Sequence, residues 1–181
     1  MNATYRKQKR FLLLAVLIGT GFCLMSCAAS NQSIVKTPIA TSLSLYKDVM
    51  VSVTHAAANP VDDEEKDMLV KEICKGLELT GKFQQVNVSD PSGQKIGELL
   101  VEAEVININR VSRAARVLAG GLAGLASVEL QVKLVDQKEN KLIGETNVTG
   151  KSSGGTIFAG TTEEAIKEAA KGDVAFVIST Y

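Results

Sequence analysis

The stretch that decides the fold is Val128–Asp136, with the sequence VELQVKLVD. Apolar and polar side chains alternate along it, which predicts a β-strand with one buried face and one solvated face. A polar turn over residues 136–140 follows, and residues 141–149 return as the hairpin partner of this strand. An antiparallel hairpin is therefore expected at the centre of the fold.

Three more strands are predicted upstream of this hairpin, over residues 47–55, 82–89 and 98–109. Valine occupies every second position from 49 to 53, and apolar residues do the same from 99 to 105. This spacing of two places the apolar side chains of each strand on one face of a sheet.

Two helices are predicted, one on each side of the main run of strands. Each begins with a capping box, Asp62 with Glu65 and Thr161 with Glu164, followed by apolar residues at helical spacing. Gly81 is the expected C-cap of the first helix. The element order predicts an α+β fold, with an antiparallel sheet of four to five strands and both helices packed on one face.

A short apolar run follows a basic opening at the N-terminus. Four basic residues lie between positions 6 and 10, and residues 11–19 are almost wholly apolar. The run is too short for an ordinary membrane-spanning helix and is typical of a secretory signal peptide. It ends in Leu24-Met25-Ser26-Cys27, which resembles the bacterial lipobox. The resemblance implies that Cys27 receives a diacylglycerol; an unmodified cysteine after a plain signal peptide is the alternative.

The chain is accordingly predicted to have three regions. Residues 1–26 form a lipoprotein signal peptide, residues 27–42 a lipidated cysteine with a flexible tether, and residues 43–181 a single α+β domain. Ala28 follows the cysteine, and in enteric-type bacteria such a residue permits sorting to the outer membrane. We expect a lipid-anchored outer-membrane protein whose domain faces the periplasm, or alternatively the cell surface.

The mature chain is mildly acidic. Four of the 20 basic residues leave with the signal peptide, which leaves 16 against 20 acidic residues. This balance does not indicate nucleic-acid binding. It also does not draw the domain to an anionic membrane surface, so the lipid is expected to provide the membrane attachment.

No motif for enzymatic chemistry is found in the sequence. His55 is the single histidine, which excludes a zinc site of the ordinary ligand type, and residues 144–152 have one residue too many for a phosphate-binding P-loop. Cys74 lies in an apolar-periodic segment and is expected to be a small buried side chain. A hydrolase would have to use Glu102 and Glu104, a pair that is expected on the protein surface. We predict no catalytic residues, no metal and no cofactor.

The candidate interaction loop is segment 110–126, RVSRAARVLAGGLAGLA. It joins two predicted strands and exceeds the usual hairpin length, and long connections in small domains are often functional. Three explanations give it a role: insertion into a partner, contact with a membrane surface, or packing against copies of itself. The alternative is a glycine-rich turn folded back on its own sheet with solvated arginines. The candidate residues are Arg110, Arg113, Arg116, Gly120, Gly121 and Gly124.

Several of these residues also carry a family resemblance. Residues 113–116 form an R-x-x-R pattern, and the glycine-rich residues 120–126, Val135-Asp136 and Ile143-Gly144-Glu145 follow it. This order resembles the bacterial family catalogued as domain of unknown function 4410, over most of residues 43–178. Members are typically secreted or lipid-anchored, and the resemblance implies no enzymatic activity. The element order is more distantly similar to small domains of outer-membrane assembly and secretion lipoproteins.

The leading functional hypothesis is a non-enzymatic lipoprotein that binds another envelope protein or its own copies through segment 110–126. The alternative is a periplasm-facing carrier or sensor of a small apolar ligand, held between the sheet and the helices.

Overall fold

A computed structural model describes residues 28–89, 98–112, 114, 117–118, 124–154 and 160–181. Six strands and two α-helices are found in this part of the chain, together with a short 3-10 turn over Leu43–Leu45. In chain order they are β1 (Ser30–Thr37), β2 (Asp48–His55), α1 (Asp63–Thr80), β3 (Gln85–Val88), β4 (Leu99–Asn109), β5 (Ser127–Asp136), β6 (Lys141–Lys151) and α2 (Thr162–Ile178).

The strands form one mixed sheet in the order β1-β6-β5-β4-β2-β3. Strands β1, β6, β5 and β4 pair antiparallel, whereas β2 runs parallel to both β4 and β3. The α+β class is confirmed, but the expected antiparallel sheet of four to five strands was wrong in type and in number. Helix α1 carries the chain back along β2, so β3 starts at the same end as β2 and pairs with it in parallel.

The sixth strand is β1, within the segment that was predicted to be a flexible tether. It pairs antiparallel with β6, from Ser30 opposite Lys151 to Thr37 opposite Glu145. Its side chains are exposed almost throughout, so the sequence carries no buried alternation there. Backbone pairing with β6 holds the strand instead, and Lys36 adds an ion pair to Glu145 at 3.2 Å. The tether prediction was therefore wrong for these eight residues.

The core lies between the sheet and the two helices. The alternation in β4 and β5 is confirmed, since every second side chain is buried from Leu99 to Val105 and from Val128 to Leu134, and the residues between them lie on the opposite, more exposed face. Both helices cover the same face of the sheet, as predicted. The largest fully buried side chains are Leu43, Leu69, Ile73, Leu77, Leu99, Leu130, Leu134, Val49, Val51, Val101 and Val105.

The start and end of α1 are as the sequence predicted. The Asp62 side chain accepts from the Glu65 backbone N–H at 2.9 Å, and the Glu65 carboxylate accepts from the Asp62 N–H at 3.4 Å. Gly81 ends the helix in the left-handed region, at φ 63°. These local bonds satisfy backbone groups that the helix leaves free at its ends.

Candidate functional site

The candidate loop leaves the sheet at the end where the chain enters it. Ser30 of β1 lies opposite Lys151, Lys151 opposite Ser127, and Ser127 opposite Asn109, so these four residues form one row across neighbouring strands. Three strand spacings separate Ser30 from Asn109, a distance of about 14 Å. The N-terminal entry point and the base of segment 110–126 are therefore close together.

Hydrogen bonds hold the C-terminal end of this segment. The Asn109 side-chain amide donates to the Leu125 carbonyl at 2.9 Å. The Ala126 N–H donates to the Ser152 hydroxyl at 3.0 Å, and the Ser152 N–H donates back to the Ala126 carbonyl at 3.0 Å. Ser152 and Ala126 are both buried. The path of the chain into β5 is thus defined by two side-chain hydrogen bonds and one backbone hydrogen bond.

The N-terminal end is held by both helix starts. The Val111 N–H donates to the Thr162 hydroxyl at 3.0 Å. Arg110 donates from Nε and Nη2 to the two carboxylate oxygens of Glu65 at 2.8 and 2.7 Å, and from Nη2 to the Pro60 carbonyl at 2.9 Å. The bond to Glu65 raises the pKa of the Arg110 guanidinium. Arg110 therefore forms a clamp within the domain, and its contact with a partner stays a prediction.

The described part of the segment presents apolar side chains to solvent. Leu118 is 88% exposed, Val117 68% and Leu125 43%. Ala114, Val117 and Leu118 have helical backbone, and Gly124 adopts φ 81°, a conformation that favours glycine. We call Val117, Leu118 and Leu125 the apolar tip.

Five of the predicted site residues lie outside the described residues. They are Cys27, Arg113, Arg116, Gly120 and Gly121. Their predicted roles stay predictions.

A further loop ends close to the same helix starts. The Glu164 carboxylate accepts from the Ser153 N–H at 3.0 Å, the Ser153 hydroxyl at 2.9 Å and the Gly160 N–H at 2.7 Å. The Glu164 backbone N–H donates to the Thr161 hydroxyl as predicted. The Glu164 carboxylate binds the loop residues Ser153 and Gly160 and does not complete the predicted capping box. Sequence spacing identified the helix start and missed this second use of Glu164.

The pair Glu102 and Glu104 lies on the solvated face of the sheet. With Ser52, Gln131 and Lys133 the two carboxylates line a small polar depression of about 130 Å³. Glu102 is exposed and lies opposite Lys133 in the strand register. Among the described residues no group of three or more histidine, cysteine or acidic side chains is placed to hold a metal ion.

An apolar groove lies on the outer surface of the two helices. Its volume is about 350 Å³, and Gly76 and Leu79 of α1 and Val174 and Ile178 of α2 contribute to its lining. The carrier hypothesis placed a ligand between sheet and helices, a space that fully buried core side chains such as Leu77 occupy. A depression of about 380 Å³ remains at the edge of the sheet between β2, β3 and α1, where Val53, Val70 and Val88 contribute to its lining.

None of the helices within the described residues combines the length and the apolar character that crossing a bilayer requires. Comparison with curated protein sequences gives no match.

Two solved structures are similar in fold. The PelC dodecamer from Paraburkholderia phytofirmans superposes with a TM-score of 0.56 at 10% identity, covering 81% of this chain and 96% of that one. Protein XCC0632 from Xanthomonas campestris, of the family DUF330, gives a TM-score of 0.52 at 17% identity, with coverages of 84% and 95%. At these identities the likeness shows the fold alone.

The family is shown by sequence. A single family model matches residues 47–156, from the start of β2 to the loop after β6. This range includes the whole of segment 110–126 and both of its pinned ends. The chain belongs to the family described as Domain of unknown function (DUF4410).

Proposed function

We propose that this protein is a lipid-anchored, non-enzymatic component of the cell envelope that assembles side by side with copies of itself on a membrane. The anchor is the lipobox-like Cys27, which precedes β1 by three residues. The observation that carries the assembly is the free edge of β1, which begins next to that anchor.

The edge of β1 has the features of a contact surface. One side of the strand pairs with β6, and none of the described residues forms a strand on its other side. Ile34 is 72% exposed and Val35 50% exposed on this edge. An unpaired edge with apolar side chains favours pairing with another chain. Because β1 starts at the anchored end, its free edge faces along the membrane, toward neighbouring copies.

The related fold supports a closed assembly. PelC, with the same fold, is a dodecamer. When one surface of a copy binds a different surface of the next, the contacts generate a ring if the rotation closes. A free β1 edge at one side of the sheet and β3 at the other provide two different lateral surfaces. We infer a ring or arc of this kind, with β1 at the contact.

Assembly is tested by crosslinking in intact cells and by the mass of the detergent-extracted protein. Replacing Ile34 and Val35 together by Glu should reduce the oligomer to monomers without unfolding the domain, because both side chains are exposed. The matched control is Leu79→Glu, which places one charge at a residue of α1 that is 78% exposed. An edge variant that assembles like the control would exclude β1 as the contact.

A carrier of a small apolar ligand is the second candidate, supported by the groove on the outer helix surface. Ala175→Trp would place an indole in the groove from the exposed side of α2. If the protein carries a ligand there, native mass spectrometry of the extracted protein should show an added mass that this variant lacks. A protein without such a mass would exclude this candidate.

A further inference from the structure

The groove on the outer surface of α1 and α2 is charged in one half and apolar in the other. We propose that it binds a single-chain amphiphile with a carboxylate head, which lies along the two helices with its head toward their starts. This inference rests on the second candidate function, whose ligand it assigns to a chemical class. It does not depend on the self-assembly of the protein.

The two helices begin at the same end of the domain. Glu64 in the first turn of α1 and Glu163 in the first turn of α2 line one depression. Further along, Gly76 lies so close to Val174 that a Cβ atom on the glycine would be 2.7 Å from the valine Cγ2. The helices therefore run in the same direction. We call the approach of Gly76 and Val174 the helix contact, and it divides the groove into a half near the helix starts and a half near the helix ends.

The half near the helix starts is charged. The charged side chains that line it, all before the helix contact, are Glu72 and Lys75 of α1 and Lys167 and Lys171 of α2. Lys171 forms an ion pair with Glu168 at 2.6 Å. Lys75 and Lys167 are exposed, and neither forms an ion pair with any of the described residues. Two ammonium groups in this half are thus available to an anion.

The half near the helix ends is apolar. Its lining consists of Leu79 of α1 and of Val174, Ala175 and Ile178 of α2, and none of these described residues is charged. Leu79 is 78% exposed. An alkyl chain that covers these side chains removes apolar surface from water on both partners, which favours binding. The groove thus resembles ligand sites in which a few polar groups orient a mainly apolar ligand.

The size and the charge of the groove restrict the class of amphiphile. A volume of about 350 Å³ holds roughly a dozen small groups, since a water-sized group takes about 30 Å³ of liquid volume. This suits one alkyl chain, whereas a diacyl lipid would leave a second chain in water. A carboxylate accepts strong hydrogen bonds from lysine ammonium groups. Glu72 in the same half repels a head of higher negative charge, such as a phosphate monoester.

The test is photoaffinity labelling of the full chain in membranes from cells that express it. The two probes are dodecanoate and dodecanol, each with the same diazirine in its alkyl chain. Dodecanoate should label peptides of α1 and α2, and Ala175→Trp, which fills the apolar half, should abolish this label. Replacing Lys75 and Lys167 together by Gln should weaken it by about fivefold or more. The matched control replaces Lys141 and Lys151, two exposed lysines of β6 outside the groove, by Gln and should label normally.

The outcomes separate this inference from the proposals on which it rests. Equal dodecanoate labelling of the Lys75 and Lys167 variant and its control would overturn the carboxylate site. If dodecanol then labels the same peptides and Ala175→Trp removes that label, the second candidate function stands without the anionic head. Labelling by neither probe, or a label that Ala175→Trp leaves unchanged, would overturn both. The mass of the complexes extracted from the same membranes reports on self-assembly independently of these results.

Discussion

Asp173 lies on α2, and its carboxyl group is buried in the core. It is fully buried, and neither carboxylate oxygen has a hydrogen-bond partner among the described residues. Burial raises the pKa of this group to about 7, because the charged form loses its water. On the facing helix, burial, followed by the charges of Glu78 and Asp173, raises the pKa of the Cys74 thiol to about 11. Cys74 packs against the core but is only partly buried, so the predicted burial of this side chain is confirmed in part.

The raised pKa of Asp173 predicts a pH-dependent stability. Between about pH 4 and pH 7 the unfolded chain loses this proton while the folded protein keeps it, so the free energy of unfolding falls as pH rises. The slope approaches about 1.4 kcal/mol per pH unit and vanishes above pH 7. Asp173→Asn should remove this component in urea unfolding from pH 5 to pH 8. Parallel curves for the two proteins would contradict the assignment.

Gly150 allows β6 and α2 to pack with their backbones in contact. A Cβ atom at this position would lie 2.2 Å from the Ala169 nitrogen and 2.4 Å from the Ala165 carbonyl oxygen. Backbone atoms of a helix cannot move aside as a side chain does. Gly150→Ala should lower the free energy of unfolding by roughly 3 kcal/mol or more. Thr149→Ala, on the solvated face of the same strand, should cost less than about 1 kcal/mol; similar losses would refute this explanation.

At the scale of elements, the sequence correctly predicted the strands and the helix that are defined by a local pattern of residues. Strands β4 and β5 were recognisable because their buried face repeats every second residue, and α1 because its capping box lies within four residues. Strand β1 was missed because its side chains are exposed. The mixed sheet was missed because parallel pairing depends on which edge β3 joins, and no local pattern encodes that choice.

The candidate site was predictable in part for the same reason. Segment 110–126 was recognisable by its length, its arginines and its glycines. The partner of Arg110 could not be recognised from the sequence. Glu65 lies 45 positions earlier in the chain, and the sequence already explained this residue as part of the helix cap. The shared row of Ser30 and Asn109 depends on β1, so the closeness of anchor and segment could not be foreseen.

Glu65 takes part in the N-terminal cap of α1 and also binds Arg110 at the base of segment 110–126. Replacing Glu65 should therefore lower the stability of the fold more than replacing its neighbour Glu64. Glu65→Ala removes the bond to the Asp62 N–H and both bonds to Arg110, and should cost about 1 kcal/mol or somewhat more. Glu64→Ala, an exposed change in the same turn, is the control and should have a smaller effect. Urea midpoints compare the two. Equal midpoints would show that the Arg110 clamp does not stabilise the fold.

At the scale of the whole molecule, the domain has three different boundaries. One end of the sheet carries the start of β1 and the apolar tip, the other end carries the polar β5–β6 turn, and β1 provides a lateral edge. If Cys27 is acylated, as we propose, this arrangement places the anchor at one end of the sheet and a free strand edge at its side. We propose that the protein is acylated at Cys27 and assembles with itself.

Native mass spectrometry of the protein extracted from membranes in mild detergent tests both parts of this claim at once. We predict a mature chain that begins at Cys27 and carries the mass of a diacylglycerol modification, in complexes whose masses are whole multiples of that chain. A chain with an unmodified thiol at Cys27, or an acylated chain found as monomers alone at cellular concentration, would contradict the account.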